Sequence, residues 1–112
     1  NKSELTAGYF TKFGDGASDI LPIGSLFKTQ VRRLAFEIGI PQAVIDKAPT
    51  AGLWPGQTDE GEMGITYPEL DEIVSRIERK QAQRLAKAKV DRVKKMMRCS
   101  EHKRSKPACF IP

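Results

Sequence analysis

Apolar residues near the start of the chain recur at the spacing of a helix. Leu5, Tyr9 and Phe13 follow one another every four residues in SELTAGYFTKF, which puts them on one helical face. Ser3 is a suitable N-cap because a serine hydroxyl accepts from a free backbone N–H of the first turn. The pattern therefore predicts a first helix that begins at Ser3 and ends near Gly14.

A short apolar segment follows this helix after a turn. The residues DGAS favour a tight reversal, since Asp and Gly tolerate the backbone dihedrals that it needs. The segment DILPI, residues 19–23, is then almost continuously apolar, which is typical of a buried strand in a parallel sheet. Because Pro22 has no backbone N–H, we expect it at an end of this strand or on a sheet edge.

The next apolar stripe predicts a second helix with Ser25 as its N-cap. Gly39 at the C′ position and Pro41 just beyond it end this helix. The segment PQAVIDKA begins with proline at a first helical position and predicts one or two further turns. The stripe of the second helix consists of Leu26, Phe27, Val31, Leu34, Ala35 and Ile38.

Residues 48–65 separate these elements from a helical second half. They contain two prolines and four glycines without a clear period, so we expect a long loop, of the kind that often serves as a lid or binding loop. Thr66 and Glu69 form a capping box for a third helix. Neither Gly nor Pro occurs from Arg76 to Arg98, which predicts one basic helix and then an irregular tail. The apolar positions of these helices are Leu70, Ile73, Val74 and Ile77, then Ala82, Ala86, Val90, Val93 and Met97.

The size of the chain indicates one small domain. Its 112 residues, of which 39% are hydrophobic, provide a modest core but not two. No apolar run approaches the length that a bilayer requires, so we expect a cytoplasmic protein. Cys99 and Cys109 fit neither a disulfide framework nor a zinc pattern, and reduced thiols are expected. Since the first residue is Asn1 rather than Met and a helical pattern is already under way by Ser3 and Glu4, we expect the chain to start inside a longer protein.

Charge is distributed unevenly along the chain. Residues 1–75 carry 6 basic and 11 acidic side chains, whereas residues 76–112 carry 13 basic and 3 acidic ones. A basic segment of this kind binds phosphates or nucleic acid, or forms a solvated helical face. No aromatic residue that would support base stacking lies between Arg76 and Arg104. The charge distribution alone leaves two noncatalytic interpretations open, a nucleic-acid-binding module and an interaction fragment that packs on a partner chain.

Five short sequence motifs occur in a characteristic order. They are NKSE, GYFTKFGDGASDILPI, LFKTQVR, APTAGLWPGQTDEGEMGI and SEHKR. Together they closely resemble the C-terminal part of ammonia-dependent NAD synthetases, and AGLWPGQTDE is most similar to the archaeal and related bacterial branch. The resemblance covers nearly the whole chain and is weaker between Gln81 and Met96 and after Arg104. The family's glycine-rich pyrophosphate loop, of the form SGGxDS, does not occur in these 112 residues.

This resemblance implies a ligase. Such enzymes adenylate the nicotinate carboxylate of deamido-NAD with ATP and magnesium, and ammonia then displaces AMP to give NAD. They are homodimers with an α/β, Rossmann-like nucleotide α-hydrolase fold built on a parallel sheet, of which this chain would be the mostly helical C-terminal part with one short strand. Residues 1–47 would form a helix–strand–helix core, 48–65 a substrate loop or lid, and 66–112 a basic helical segment. The resemblance implies neither nucleic acid nor a membrane as partner, and no activity for this piece alone.

Three positions match the family's contacts to ATP and metal. Glu4 matches a magnesium-binding glutamate, and a carboxylate oxygen is the kind of ligand that magnesium prefers. Lys28 and Thr50 match positions that contact ATP. Lys28 is expected in the first turn of the second helix, where free N–H groups and the helix dipole favour phosphate. The structural alternatives are an exposed first-turn glutamate for Glu4 and a solvent-facing lysine for Lys28.

The remaining candidates match the family's contacts to deamido-NAD. Those positions are Lys12, Asp19, His102 and Lys103. A lysine supplies a point charge for phosphate, an imidazole supplies a donor, and an aspartate accepts from hydroxyl groups. Asp15 and Glu62 are second-rank candidates, since an aspartate in a turn is equally suited to binding its own backbone. A zinc site at Cys99, His102 and Cys109 is not expected, because a fourth ligand at suitable spacing is missing.

Overall fold

The computed structural model describes residues 1–107 and 109–110, and these residues form helices and turns without a β-strand. Helix α5 lies at the centre, because it packs against α1, α2 and α6. The helices are α1 (Lys2–Ala7), α2 (Lys28–Glu37), α3 (Gln42–Ile45), α4 (Asp59–Met63), α5 (Tyr67–Glu78), α6 (Lys87–Cys99) and α7 (Glu101–Arg104), with a 3-10 helix (Ala82–Arg84) between α5 and α6.

Helix α1 is shorter than its apolar spacing predicts. Its N-cap is Asn1, whose side chain accepts from the Glu4 N–H, so the prediction of Ser3 as N-cap is wrong. The helix ends at Gly8, which adopts a left-handed conformation with φ 75°, rather than near Gly14. A Cβ atom on Gly8 would lie 2.0 Å from the Cβ of Ser100, so close packing against the end of α6 requires glycine there.

The predicted strand at residues 19–23 is absent from the part of the chain that the structure describes. The segment forms bends and a turn, in which the Gly24 N–H donates to the Leu21 carbonyl at 2.9 Å. Ile20 is 77% exposed. A strand is stabilised only by neighbouring strands that satisfy its backbone groups, and the described residues provide none.

Helices α2 and α3 lie close to their predicted positions with different caps. Phe27, not Ser25, is the N-cap of α2, and the Phe27 N–H donates to the Gln30 side chain. Gly39 has φ 77° just beyond the helix, as expected for a C′ glycine. Pro41 is the N-cap of α3 rather than its first residue. The predicted apolar stripe of α2 contains no buried residue.

The capping-box prediction for α5 is confirmed. The Thr66 side chain accepts from the Glu69 N–H, and the Glu69 side chain accepts from the Thr66 N–H. The expected long loop over residues 48–65 is wrong in its last third. Helix α4 forms there because Thr58 caps it and Gly64, with φ 63°, ends it.

The single basic helix predicted from Arg76 to Arg98 is wrong. The chain leaves α5 after Glu78, and Lys80 takes a left-handed conformation with φ 57°. The 3-10 helix then leads into α6, which carries six of the 13 basic side chains of residues 76–112. The tail, expected to be irregular, begins with the single helical turn of α7.

The core lies between α1, α5 and α6. Tyr67, Leu70 and Val74 of α5 and Val93 of α6 are almost completely buried. Residues 13–54 instead carry many exposed apolar side chains, among them Phe13, Ile20, Leu34, Phe36, Ile38, Val44, Leu53 and Trp54. No helix in the described part of the chain is long and apolar enough to cross a membrane.

Candidate functional site

One cavity gathers the residues that the family resemblance assigns to ATP and magnesium. It has a volume of about 400 Å³ and lies between α1, α2, α3 and the segment that leads into α4. Glu4, Lys28 and Thr50 all line this cavity, and their roles toward ATP and magnesium stay predictions. The charged and polar residues that line it are Glu4, Lys28, Arg32, Lys47, Thr50 and Asp59.

Glu4 and Lys28 form an ion pair at the wall of this cavity. The Lys28 Nζ donates to Glu4 Oε1 at 2.9 Å, and their side chains are only 26% and 20% exposed for Glu4 and Lys28 respectively. Burial tends to raise the pKa of the Glu4 carboxyl, but the hydrogen bond and charge of Lys28, together with Asn1, outweigh this effect and lower the pKa below its usual value. Glu4 is therefore a carboxylate at neutral pH.

The first turn of α2 is attached to two other helices through a partly buried polar network. The backbone N–H of Lys28 donates to Ser3 Oγ at 2.8 Å, and the Ser3 hydroxyl donates to Asp71. The backbone N–H and hydroxyl of Thr29 both donate to Asp71 Oδ2, at 2.9 and 2.8 Å. These N–H groups are thus occupied, and the expectation that they are free for phosphate is wrong. The cationic group that this turn offers to the cavity is the Lys28 side chain.

Asp59 completes the charged side of the cavity, and the buried Tyr67 contacts it from the core. The Tyr67 hydroxyl lies 2.7 Å from Asp59 Oδ2 and 3.5 Å from Glu4 Oε1. The Lys28 Nζ lies 5.1 Å from the centre of the Tyr67 ring, within the range of a cation–π contact. Burial and the neighbouring carboxylates raise the pKa of Tyr67 far above its ordinary value, so its hydroxyl keeps its proton.

Thr50 reaches the cavity through a backbone contact of the loop before α4. The Asp59 N–H donates to the Pro49 carbonyl at 2.9 Å, which holds the start of α4 beside Thr50. The Thr50 Oγ1 accepts from the Gly52 N–H at 3.0 Å and the side chain is exposed. A hydroxyl in this position is accessible to a ligand in the cavity.

A second cavity, of about 240 Å³, contains the two second-rank candidates and one predicted substrate residue. Asp15, Glu62 and Lys103 line it together with Tyr9. The Lys103 Nζ donates to the carbonyls of Gly8 and, at 2.7 Å, Phe10. Asp15 Oδ2 accepts from a backbone N–H of its own turn. Lys103 therefore also holds the end of α1 against α7.

Tyr9 and Glu62 form the polar contact at the centre of this second cavity. The Tyr9 hydroxyl donates to Glu62, which also accepts from the Gln57 amide at 2.8 Å. Burial and the carboxylate partner raise the pKa of Tyr9 to about 12. The same two hydrogen bonds, that from Tyr9 first, lower the pKa of Glu62.

The other predicted substrate residues lie away from both cavities. The Lys12 Nζ lies 5.3 Å from the centre of the Phe13 ring. Asp19 and His102 are exposed, the first in the turn region before α2 and the second on α7. Neither cavity is lined by Lys12, Asp19 or His102. The described residues thus bring together the ATP and metal candidates but not the whole deamido-NAD set.

Comparison with known proteins assigns the chain to a family. Residues 1–107 match the sequence profile of the family described as NAD synthase. The chain belongs to the NAD synthase family. Its relatives include an NH(3)-dependent NAD(+) synthetase of Archaeoglobus fulgidus, 56% identical over 107 residues, and one of Carboxydothermus hydrogenoformans, 50% identical over 107 residues. Each of these alignments covers 96% of this chain and 42% of the relative.

A solved structure shares the fold of this NAD synthase chain. The NMN synthetase of Francisella tularensis superposes with a TM-score of 0.82 at 44% identity, over 100% of this chain and 44% of that one. The chain therefore spans less than half the length of the relatives that it matches.

Sequence analysis missed one residue that lines the first cavity, Asp59, and two that contact its surroundings, Tyr67 and Asp71. Asp59 lies within the motif APTAGLWPGQTDEGEMGI but was not singled out, and the contacts of Tyr67 and Asp71 join separate helices of the chain. The available signal was local: Asp59 follows the Thr58 cap, and Tyr67 follows the Thr66 capping box. Both side chains are anchored by the first turn of a helix.

Proposed function

We propose that the chain is the C-terminal part, residues 1–112, of a single ammonia-dependent NAD synthetase domain. The whole protein would have the Rossmann-like nucleotide α-hydrolase fold with a parallel sheet, and would act in the cytoplasm as a homodimer. The family match and the names of the relatives support this proposal. The reaction is the ATP-dependent amidation of deamido-NAD: the nicotinate carboxylate attacks the α-phosphate, pyrophosphate leaves, and ammonia displaces AMP.

The cavity that contains Glu4, Lys28 and Thr50 is the observation that carries the proposal. ATP is a polyanion, and Lys28, Arg32 and Lys47 give the cavity three cationic side chains. Fixed cations stabilise the charge that develops as pyrophosphate departs. Lys28 and Thr50 are the proposed ATP contacts, as ammonium and hydroxyl donors.

Glu4 is the proposed magnesium ligand, with Asp59 beside it. Magnesium in nucleotide sites is bound through one or two carboxylates, with phosphates and waters as the other ligands. Two carboxylates on one cavity fit this requirement, and no cluster of three or more metal-ligating side chains occurs among the residues that the structure describes. One Asp59 oxygen, Oδ1, is buried without a hydrogen-bond partner. When bound, the metal would neutralise phosphate charge as the bond to pyrophosphate breaks.

Lys12, Asp19, His102 and Lys103 are the proposed contacts to deamido-NAD. Their support is the match of their motifs to the family, and for Lys103 its place in the second cavity beside Asp15 and Glu62. In the proposed dimer these side chains would face a site that other parts of the protein complete. The 112-residue piece is accordingly not expected to turn over alone.

A second candidate substrate is the mononucleotide. The structural relative at 44% identity is an NMN synthetase, and the amidated carboxylate would then belong to nicotinate mononucleotide. The chemistry at the carboxylate is the same, so the cavity around Lys28 serves both substrates. The two substrates differ only in the adenylate half.

The test is to offer both substrates to the full-length polypeptide that carries these residues. With ATP, magnesium and ammonium, we expect NAD to form from deamido-NAD, with one AMP and one pyrophosphate released for each amide. Faster amidation of nicotinate mononucleotide would assign the mononucleotide instead. Failure to amidate either substrate, combined with salt-sensitive binding to random duplex DNA, would favour a nucleic-acid-binding module.

A further inference from the structure

We propose that Tyr67 is a positioning residue for the ATP and magnesium site, a role that rests on the proposed function. Tyr67 is completely buried, with an exposed fraction of 0%. Its ring contributes to the core between α1, α5 and α6, while its hydroxyl donates to Asp59, which lines the first cavity. One side chain thus contacts Asp59, Glu4 and Lys28.

The hydroxyl of Tyr67 discriminates between the two carboxylates. A phenol has one proton to donate, and the 2.7 Å contact with Asp59 Oδ2 is a better hydrogen bond than the 3.5 Å contact with Glu4 Oε1. Asp59 is therefore held by Tyr67, and Glu4 Oε1 is left to the Lys28 ammonium at 2.9 Å. The two carboxylates thus have different partners: Asp59 is fixed by a neutral donor and Glu4 by a cation.

The ring of Tyr67 helps to fix the position of the Lys28 ammonium. The ammonium lies 5.1 Å from the ring centre and also bonds Glu4, so its position is set by an aromatic face and a carboxylate. The backbone of Lys28 is fixed independently by Ser3. A lysine held at both ends loses less conformational entropy when it meets a phosphate.

Two substitutions test the hydrogen bond between Tyr67 and Asp59 while the Tyr67 ring stays in place. Tyr67→Phe keeps the ring and removes the donor to Asp59, and Asp59→Asn keeps the size of the acceptor side chain and removes its charge. We expect each to weaken binding of ATP in the presence of magnesium by about tenfold, measured by calorimetry on the full-length polypeptide. We expect a matching rise in the KM for ATP, a change of less than about threefold in kcat, and a higher magnesium concentration for half-maximal binding.

The double variant tests whether Tyr67 acts through Asp59. If it does, the double variant binds ATP as tightly as the single variant with the lower ATP affinity. Once one partner of the hydrogen bond is changed, changing the other removes no further interaction. Additive losses, or ATP binding by Tyr67→Phe within twofold of the wild type, would overturn the inference. Should Tyr67→Phe fail to fold, ATP binding by Asp59→Asn within twofold of the wild type would overturn the inference, because Tyr67 would then have no partner through which to act.

A matched control lies in the second cavity. Tyr9→Phe removes the same hydroxyl from a tyrosine that bonds Glu62, and we expect ATP affinity and the magnesium requirement to stay unchanged. A similar loss of ATP affinity in Tyr9→Phe would contradict a role specific to Tyr67. If the wild-type polypeptide neither binds ATP nor forms the amide, the proposed function itself fails. Normal wild-type binding with an unaffected Tyr67→Phe variant removes only the positioning role.

Discussion

The ammonium of Lys28 lies 2.9 Å from the carboxylate of Glu4, and this pair joins the first turn of α2 to α1. The contact spans 24 residues of sequence and places a cation and an anion at one wall of a cavity. Neither charge is isolated, since Tyr67 and Asp59 lie beside them. A ligand with phosphates and a divalent cation offers both residues new partners of the right sign.

The pair predicts a pH-dependent contribution to stability. The folded-state pKa of Glu4 is lowered, so its stabilising effect is complete above the ordinary value of 4.5 and is lost as the pH falls through the lowered pKa. Glu4→Gln removes this effect, which amounts to about 1 kcal/mol or less because the pair is partly exposed. Urea unfolding of the full-length polypeptide should show the largest difference from wild type at neutral pH. A difference that stays constant down to acidic pH would contradict the assignment.

Substitution of Asp71 should lower the stability of the protein strongly, because Asp71 is buried and accepts three hydrogen bonds. Asp71→Ala removes the acceptor for the buried Ser3 hydroxyl and for two partly buried donors of Thr29. We expect a loss of about 2–4 kcal/mol in the free energy of unfolding. The control is Asp46→Ala, an exposed aspartate that accepts from Gln42, for which we expect about 0.5 kcal/mol or less. Equal losses in the two variants would show that the network does not hold α2.

Tyr9 should ionise late in an alkaline titration. Burial and Glu62 raise its pKa from 10 to about 12, so subtracting the tyrosinate absorbance of Tyr9→Phe from that of wild type should leave no step near pH 10. In Glu62→Gln the carboxylate is replaced by a neutral amide, and we expect the pKa of Tyr9 to fall toward 10. A wild-type step at pH 10 would mean that the contact with Glu62 does not form in solution.

The isolated 112-residue chain should be loosely folded or associate. Residues 13–54 expose large apolar side chains, including Phe13 at 80% and Leu53 at 75%, and patches of this kind promote association. Sedimentation should therefore detect species larger than the monomer, or thermal unfolding should be broad. A monomer with one cooperative transition would contradict this expectation.

Local rules account for the elements that the sequence predicted well. Helix α5 is defined by its Thr66 cap and an apolar repeat that turns Leu70, Ile73 and Val74 into the core, and all of these signals lie within the helix. Gly39 ends α2 for the same kind of reason. Such features need no knowledge of distant contacts.

Distant contacts account for the elements that were wrong. Helix α1 ends at Gly8, which takes a left-handed conformation, and Ser100 from the other end of the chain packs against this glycine. Residues 19–23 read as a strand, but a strand depends on partners that a single segment cannot specify. The reversal at Lys80 has no Gly or Pro to mark it.

Some residues of the candidate site were predicted from local motifs, whereas others depend on contacts between distant segments. Glu4, Lys28 and Thr50 were identified through motifs that resemble the family. They line one cavity, which the sequence alone did not show. Tyr67 and Asp59 have roles that exist only through geometry, since the hydroxyl and both carboxylates come together when α1, α4 and α5 pack. Periodicity predicted Leu70 as a core residue. It did not indicate that the Tyr67 ring would also lie in the core while its hydroxyl contacts Asp59.

Binding of ATP to a Lys28 variant tests the central claim most directly. Calorimetry with magnesium would compare the full-length wild type, Lys28→Met, and Lys106→Met, an exposed lysine outside both cavities that serves as the control. We expect Lys28→Met to weaken ATP binding by about tenfold or more, and Lys106→Met and the wild type to bind alike. Equal ATP affinity in all three proteins would contradict the assignment of this cavity to ATP.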